Sequence, residues 1–140
     1  NHPFLAGKVV AEACFSTTDA QAGTTTACPN GQSTQTGTGA ATPCSGQGCD
    51  HGTHCAGISA GKGTGFSGVA KEAAIVAVQV FSNTRSGGAT SFTSDDVAGL
   101  DWVYTQRNSF GVSVASINMS LGGGQAFSAC DGDSPPRSRP

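Results

Sequence analysis

Three segments predict an α/β fold in which helices cover a parallel sheet. Residues 73–81 (Ala73-Ala74-Ile75-Val76-Ala77-Val78-Gln79-Val80-Phe81) form an apolar run with several β-branched side chains, the pattern of a strand covered on both faces. Ser94-Asp95-Asp96 opens a helix, with Ser94 or Thr93 as N-cap and two carboxylates at the positive end of the helix dipole. Val97, Leu100 and Tyr104, with Trp102 and Val103 beside them, give that helix an apolar side. Val112–Met119 reads as a second strand. Strand, helix, strand at this spacing is a βαβ crossover, which joins parallel neighbours in an α/β sandwich.

The remaining elements follow in order. Residues 1–7 make a short turn before the apolar stretch Lys8–Phe15, where Val9, Val10 and Ala11 suit a strand. Residues 16–48 are dominated by Ser, Thr, Gly, Gln and Ala, so they are expected to form a long surface loop or insertion. An unstructured loop of that length needs a staple, and Cys28, Cys44 and Cys49 are placed to supply one. A helix is expected from about His51 to Ala60, ended by Gly61 and the glycine-rich stretch 61–68. A polar Gly/Ser/Thr loop separates the run 73–81 from the helix that begins near Thr93.

With 140 residues the chain makes one domain at most. Its net charge is −2 and only 11% of residues are charged, which gives no reason to expect a nucleic-acid surface. No apolar run approaches the roughly 20 residues that span a bilayer. The first residue is Asn1, so the sequence is expected to start inside a longer product or after processing, with any signal peptide upstream. Six cysteines and a Gly/Ser/Thr-rich composition favour an oxidising compartment, hence secretion and some disulfides. Six cysteines allow 15 full pairings. Cys44 and Cys49 are near enough to close a short loop just before His51.

Two motifs carry the chemistry. Asp50-His51-Gly52-Thr53-His54-Cys55-Ala56-Gly57 mounts an imidazole on the first turn of a helix. Gly52 leaves room above the ring, and Ala56 and Gly57 let the helix lie close to a neighbour. The second motif is Ser116-Ile117-Asn118-Met119-Ser120-Leu121-Gly122-Gly123. The first closely resembles the histidine motif of the subtilisin-like serine proteases, the subtilases. The second resembles the substrate-binding strand of the same family, and the two stand in the family's order. His2-Pro3-Phe4-Leu5 resembles a further family stretch, so the resemblance covers about residues 1–13 and 50–125.

The resemblance implies a three-layer sandwich of which residues 1–140 are the N-terminal part, a partial catalytic domain with 16–48 as its insertion. It implies a serine endopeptidase working through an Asp–His–Ser triad, with His51 as general base. His54, one turn on, is expected to support the fold. Ser120, Leu121 and Gly122 are expected to pair with an extended peptide by strand addition, Leu121 walling an apolar subsite. Ala89-Thr90-Ser91 is a candidate for the opposite edge. Cys55 stands where subtilases carry a small apolar residue or a free cysteine, so it is expected to be a buried free thiol below the histidine. Cys130 would then be unpaired or pair elsewhere. Asn118-Met119-Ser120 matches a glycosylation sequon, but its apolar setting predicts a buried asparagine.

The family's aspartate would lie just before residue 1, and its Gly-Thr-Ser-Met-Ala serine motif does not occur in residues 1–140. Asp50 is next to His51 in sequence and so does not face the imidazole nitrogen as an orienting carboxylate must. The 140-residue chain alone is therefore expected to be inactive. The partners implied are peptide or protein substrates and an upstream propeptide, with neither nucleic acid nor membrane. Calcium is common in the family, but Gly61–Gly68 has no acidic cluster, so no metal site or other cofactor is assigned. A rival reading takes Cys44, Cys49, His51, His54 and Cys55 as a small zinc-binding module. Another takes the chain as a non-catalytic truncated product.

Overall fold

A computed structural model describes residues 2–122. Strand β1 (Val9–Phe15) is the middle strand of a mixed three-stranded sheet. On one side it pairs antiparallel with β3 (Thr34–Thr36), Ala13 opposite Thr36. On the other it runs parallel to β4 (Ile75–Gln79), Ala13 opposite Val78, with a bulge between Val9 and Ala11. The central position accounts for the burial of Ala13 and Cys14, both 0% exposed. Lys8 anchors the start of β1: its ammonium donates to the carbonyls of Ala73 (2.9 Å) and Lys71, so a buried cation is satisfied by the segment leading into β4.

The apolar run 73–81 is shared between two sheets. Its N-terminal part is β4, and Phe81 begins β5 (Phe81–Thr84) in a second, antiparallel sheet of order β2-β5-β6. The break has a local cause. The side-chain carbonyl of Gln79 accepts from the N–H of Phe81 at 2.8 Å, taking a donor the first ladder would have used. The other strands of this sheet are β2 (Thr24–Thr25) and β6 (Ala89–Ser91), the latter at its edge. Ser16 and Ser82, both 0% exposed, join the two sheets. Ser16 Oγ lies 3.0 Å from Ser82 Oγ, donates to the Phe81 carbonyl and accepts from the N–H of Ala27 at 2.8 Å.

Residues 16–48 are thus not a plain loop. They contribute β2 and β3, and Cys28 is joined to Cys14 of β1 rather than to the pair further on. Cys44 and Cys49 close their short loop as the spacing suggested. The insertion is held to the core by a backbone ladder and a buried disulfide, two long-range contacts that its polar composition does not announce.

Helix α1 (His51–Ala60) lies in the connection from β1 to its parallel neighbour β4, and α2 (Thr93–Gln106) packs on β1. Gly99 sets the closeness of α2: a Cβ there would stand 3.1 Å from Val78 and 3.2 Å from Val80. Phe92, not Ser94 or Thr93, occupies the N-cap of α2, and no side chain caps it. Asp95 is turned inward instead, accepting from the N–H and hydroxyl of Thr17, both at 2.9 Å. Burial pushes the carboxyl of neighbouring Asp96 up from its ordinary value; a weak bond from Ser91 opposes this and the charge of Asp95 adds to it.

The second predicted strand is corrected. Residues 112–119 pair with no strand, and among the described residues no strand follows β6. The parallel crossover runs from β1 through α1 to β4, not from β4 through α2. Val112, Val114, Ile117 and Met119 are accordingly 37–52% exposed. A strand is stabilised by a neighbour's amides and carbonyls, and here the apolar pattern has no such partner.

Candidate active site

Helix α1 begins at His51, whose N–H donates to the carbonyl of Gly48 at 3.2 Å. The helix ends where the pattern placed its end, but Gly61 acts for another reason than a left-handed cap. Its φ is −61°, and a Cβ there would overlap the ring of Phe4 and approach the carbonyl of Gly57. Phe4 also makes ordinary contact with Gly57, stacks at 4.9 Å on Phe66, and accepts from the N–H of Lys62 at 2.8 Å. The 2–5 stretch therefore buttresses the helix that carries His51. Glycines at 57 and 61, four apart on one helix face, were the signal for a groove holding an aromatic ring. Gly52, by contrast, has nothing within 4 Å of where its Cβ would stand.

The imidazole of His51 is exposed and meets the second motif. Its Nε2 lies 2.6 Å from the carbonyl oxygen of Ser120, 69 residues away, so in this arrangement Nε2 carries the proton and donates. Cys55, one turn along α1, is a free thiol with Sγ 3.7 Å from the same nitrogen. It is half-buried rather than buried, since the ring beside it is open to solvent. An accessible thiol at this distance leads to a clear expectation. In an active protein carrying this chain, a small mercurial or methylating thiol reagent should abolish turnover by crowding the imidazole, and Cys55→Ala should be resistant. Unchanged activity after complete labelling of Cys55, checked by peptide mass, would remove the proximity argument.

Asp50 turns its carboxylate to His54, Oδ2 to Nε2 3.6 Å, and both side chains are about 70% exposed. Asp50 is thus turned to His54 and not to the His51 ring. On the other motif, the amide of Asn118 donates to Ser120 Oγ at 2.9 Å. Asn118 is exposed, not buried, because the segment has no sheet to lie in. Leu121 is half-buried, and Gly122 is exposed with open space where a Cβ would be. Gly123 and Cys130 lie outside the described residues. The zinc reading loses two donors, because the sulfurs of Cys44 and Cys49 are joined to each other. Among the described residues no group of three His, Cys, Asp or Glu side chains could hold a metal ion.

The geometry joins two motifs distant in sequence around one imidazole. The subtilase family profile, peptidase S8, matches residues 45–137. The chain belongs to the subtilase family. It is 43% identical over 77 residues to the subtilase-type proteinase isp6 of Schizosaccharomyces pombe, an alignment covering 55% of this chain and 15% of that protein. To subtilisin-like protease 1 of Arthroderma gypseum it is 46% identical over 77 residues, covering 54% and 15%. To subtilisin-like protease 3 of Arthroderma otae it is 41% identical over 90 residues, covering 64% and 20%. This subtilase chain thus spans a fifth or less of the length of these relatives. No solved structure matches it. Family membership agrees with an α/β architecture. No helix among the described residues is long and apolar enough to cross a membrane.

Proposed function

We propose that this chain is part of a secreted serine endopeptidase in which His51 is the general base and Ser120, Leu121 and Gly122 bind the substrate backbone. The observation that supports the reading is the 2.6 Å contact between His51 Nε2 and the Ser120 carbonyl, one residue from each of the two motifs. The aspartate that orients the ring and the serine nucleophile come from sequence beyond residues 1–140, which by themselves are inactive. The architecture that goes with this reading is a three-layer sandwich, with 16–48 as an insertion. The two disulfides and the low charge support secretion.

The chemistry follows from what Nε2 must do. To accept the serine proton it needs a free lone pair, so the proton it now shares with the Ser120 carbonyl has to sit on Nδ1, held there by the orienting carboxylate. Nε2 then takes the hydroxyl proton as the serine attacks the peptide carbonyl, and returns it to the leaving amine. Released from the ring, the Ser120 carbonyl can accept from a substrate N–H, the bond of strand addition. Leu121 offers an apolar wall beside it.

The test is an active polypeptide containing residues 1–140, assayed on extended peptides with and without a serine-directed covalent inhibitor. Inhibitor-sensitive cleavage is expected. In that polypeptide Gly122→Val should lower kcat/KM for long peptides by about tenfold or more, since Gly122 now borders open space that a substrate backbone would fill. Unchanged kinetics would mean that the peptide binds along some other edge.

A further inference from the structure

The loop closed by Cys44 and Cys49 does more than precede the histidine helix. It reaches across to the turn of the β5–β6 hairpin and is held there by backbone contacts. The N–H of Ser45 donates to Asn83 Oδ1 at 2.9 Å, and the N–H of Gln47 donates to the carbonyl of Gly87 at 3.0 Å. Between them Gly46, at φ +115°, lies so close to Gly87 that a Cβ would overlap the Gly87 carbonyl oxygen. Thr42, just before the loop, accepts from the side chain of Gln79 at 3.3 Å. At the other end, Cys49 is two residues from His51, whose N–H is bonded to Gly48. The disulfide shortens this path: its two Cα atoms are 5.1 Å apart. Helix α1 lies in the β1-to-β4 connection and β6 in the second sheet, so the loop ties a helix beside one sheet to a hairpin of the other.

We propose that the Cys44–Cys49 loop is a strap that sets the position of the β6 edge relative to His51, so that an extended peptide lying along β6 presents its scissile bond to the base. Gly46 and the two cysteines are positioning residues: none touches the reacting atoms, and each acts through the hairpin. The inference rests on the proposed role of His51. Its physical basis is the rigidity of the contact. Two glycine backbones in apposition, flanked by two N–H donors, leave little room for sliding. The disulfide removes the freedom that a six-residue polar loop would otherwise keep. A register error of about 1 Å at the substrate edge is enough to cost up to about a hundredfold in rate.

The experiment compares the Cys44→Ser/Cys49→Ser double variant and Gly46→Ala with wild type, using Gln47→Ala as a control that keeps the backbone donor. Two measurements are made on an active polypeptide containing residues 1–140. The first is amide hydrogen exchange across 84–91 and at Ser45 and Gln47. It is expected to rise in both test variants, to stay unchanged in Gln47→Ala, and to stay unchanged across β1 and β4 in all. The second is hydrolysis of a long peptide and of a short ester that cannot reach β6. For the long peptide kcat/KM is expected to fall about tenfold, mainly through KM. For the short ester both constants should stay within about twofold. Unaltered exchange at 84–91 in both variants would overturn the strap, as would an equal loss on both substrates, which is what general loosening of α1 would produce. A His51→Ala polypeptide that hydrolyses both substrates at the wild-type rate would instead remove the role of His51, whatever the exchange shows. The two failures are therefore separable.

Discussion

Replacing His51 by alanine in an active polypeptide that carries this chain is expected to lower kcat by four orders of magnitude or so while leaving the fold intact. The serine loses its proton acceptor, and only binding and oxyanion stabilisation remain. The fold survives because the imidazole is exposed and its hydrogen-bond partner, the Ser120 carbonyl, is free to bond water once the ring is gone. Alanine also suits the first turn of a helix. The control is His54→Ala, which breaks only an exposed pair with Asp50 and should alter stability by less than about 1 kcal/mol. Steady-state kinetics on an extended peptide, with circular dichroism to verify folding, decide the matter. Activity of His51→Ala within about tenfold of wild type would refute the assignment of the base.

The largest effect on stability is expected from Cys14→Ala/Cys28→Ala. That bridge closes a loop with a sequence separation of 14, and both residues are buried, 0% and 4% exposed. Loop closure of this length is worth about 3 kcal/mol, and a loss of about 2–4 kcal/mol is expected in denaturant titration. The Cys44–Cys49 pair, separated by 5 and only half-buried, should cost about 1 kcal/mol less. The contrast follows from position. Cys14 sits in the middle strand of its sheet and Cys28 leads the insertion toward β3, so the bridge holds 16–48 to the core. A loss below about 1 kcal/mol would show that the β1–β3 ladder and the Ser16 contacts hold the insertion alone.

Much of the candidate site was legible because its signals are local. The helix His51–Ala60 was readable from its small-residue pattern and the glycines that follow, and the start of α2 from its acidic first turn. The Cys44–Cys49 loop follows from a separation that leaves the two sulfurs within reach. The free thiol of Cys55 was implied by the family resemblance of its motif, not by spacing. The main misreadings, in turn, involve a partner distant in sequence. Thr93 and Ser94 look like caps for α2, but Asp95 faces Thr17, 78 residues away, and the chain enters the helix from Phe92. Residues 112–119 have the apolar content of a strand, yet no neighbouring strand among the described residues offers them a ladder.

By itself, then, the sequence determined which residue types make up the two motifs, where the two helices lie, and that the apolar run 73–81 forms strand. Periodicity, glycine placement and short Cys spacing all act within one or two turns of chain. Only the tertiary structure decided that Cys28 pairs with Cys14, that residues 73–81 divide between two sheets, and that Phe4 supports α1. It also decided that the Ser120 carbonyl meets the His51 ring and that Gly46 abuts Gly87. Those choices depend on which surfaces and unpaired backbone groups are left over once the local elements have formed, and a linear pattern does not contain that remainder.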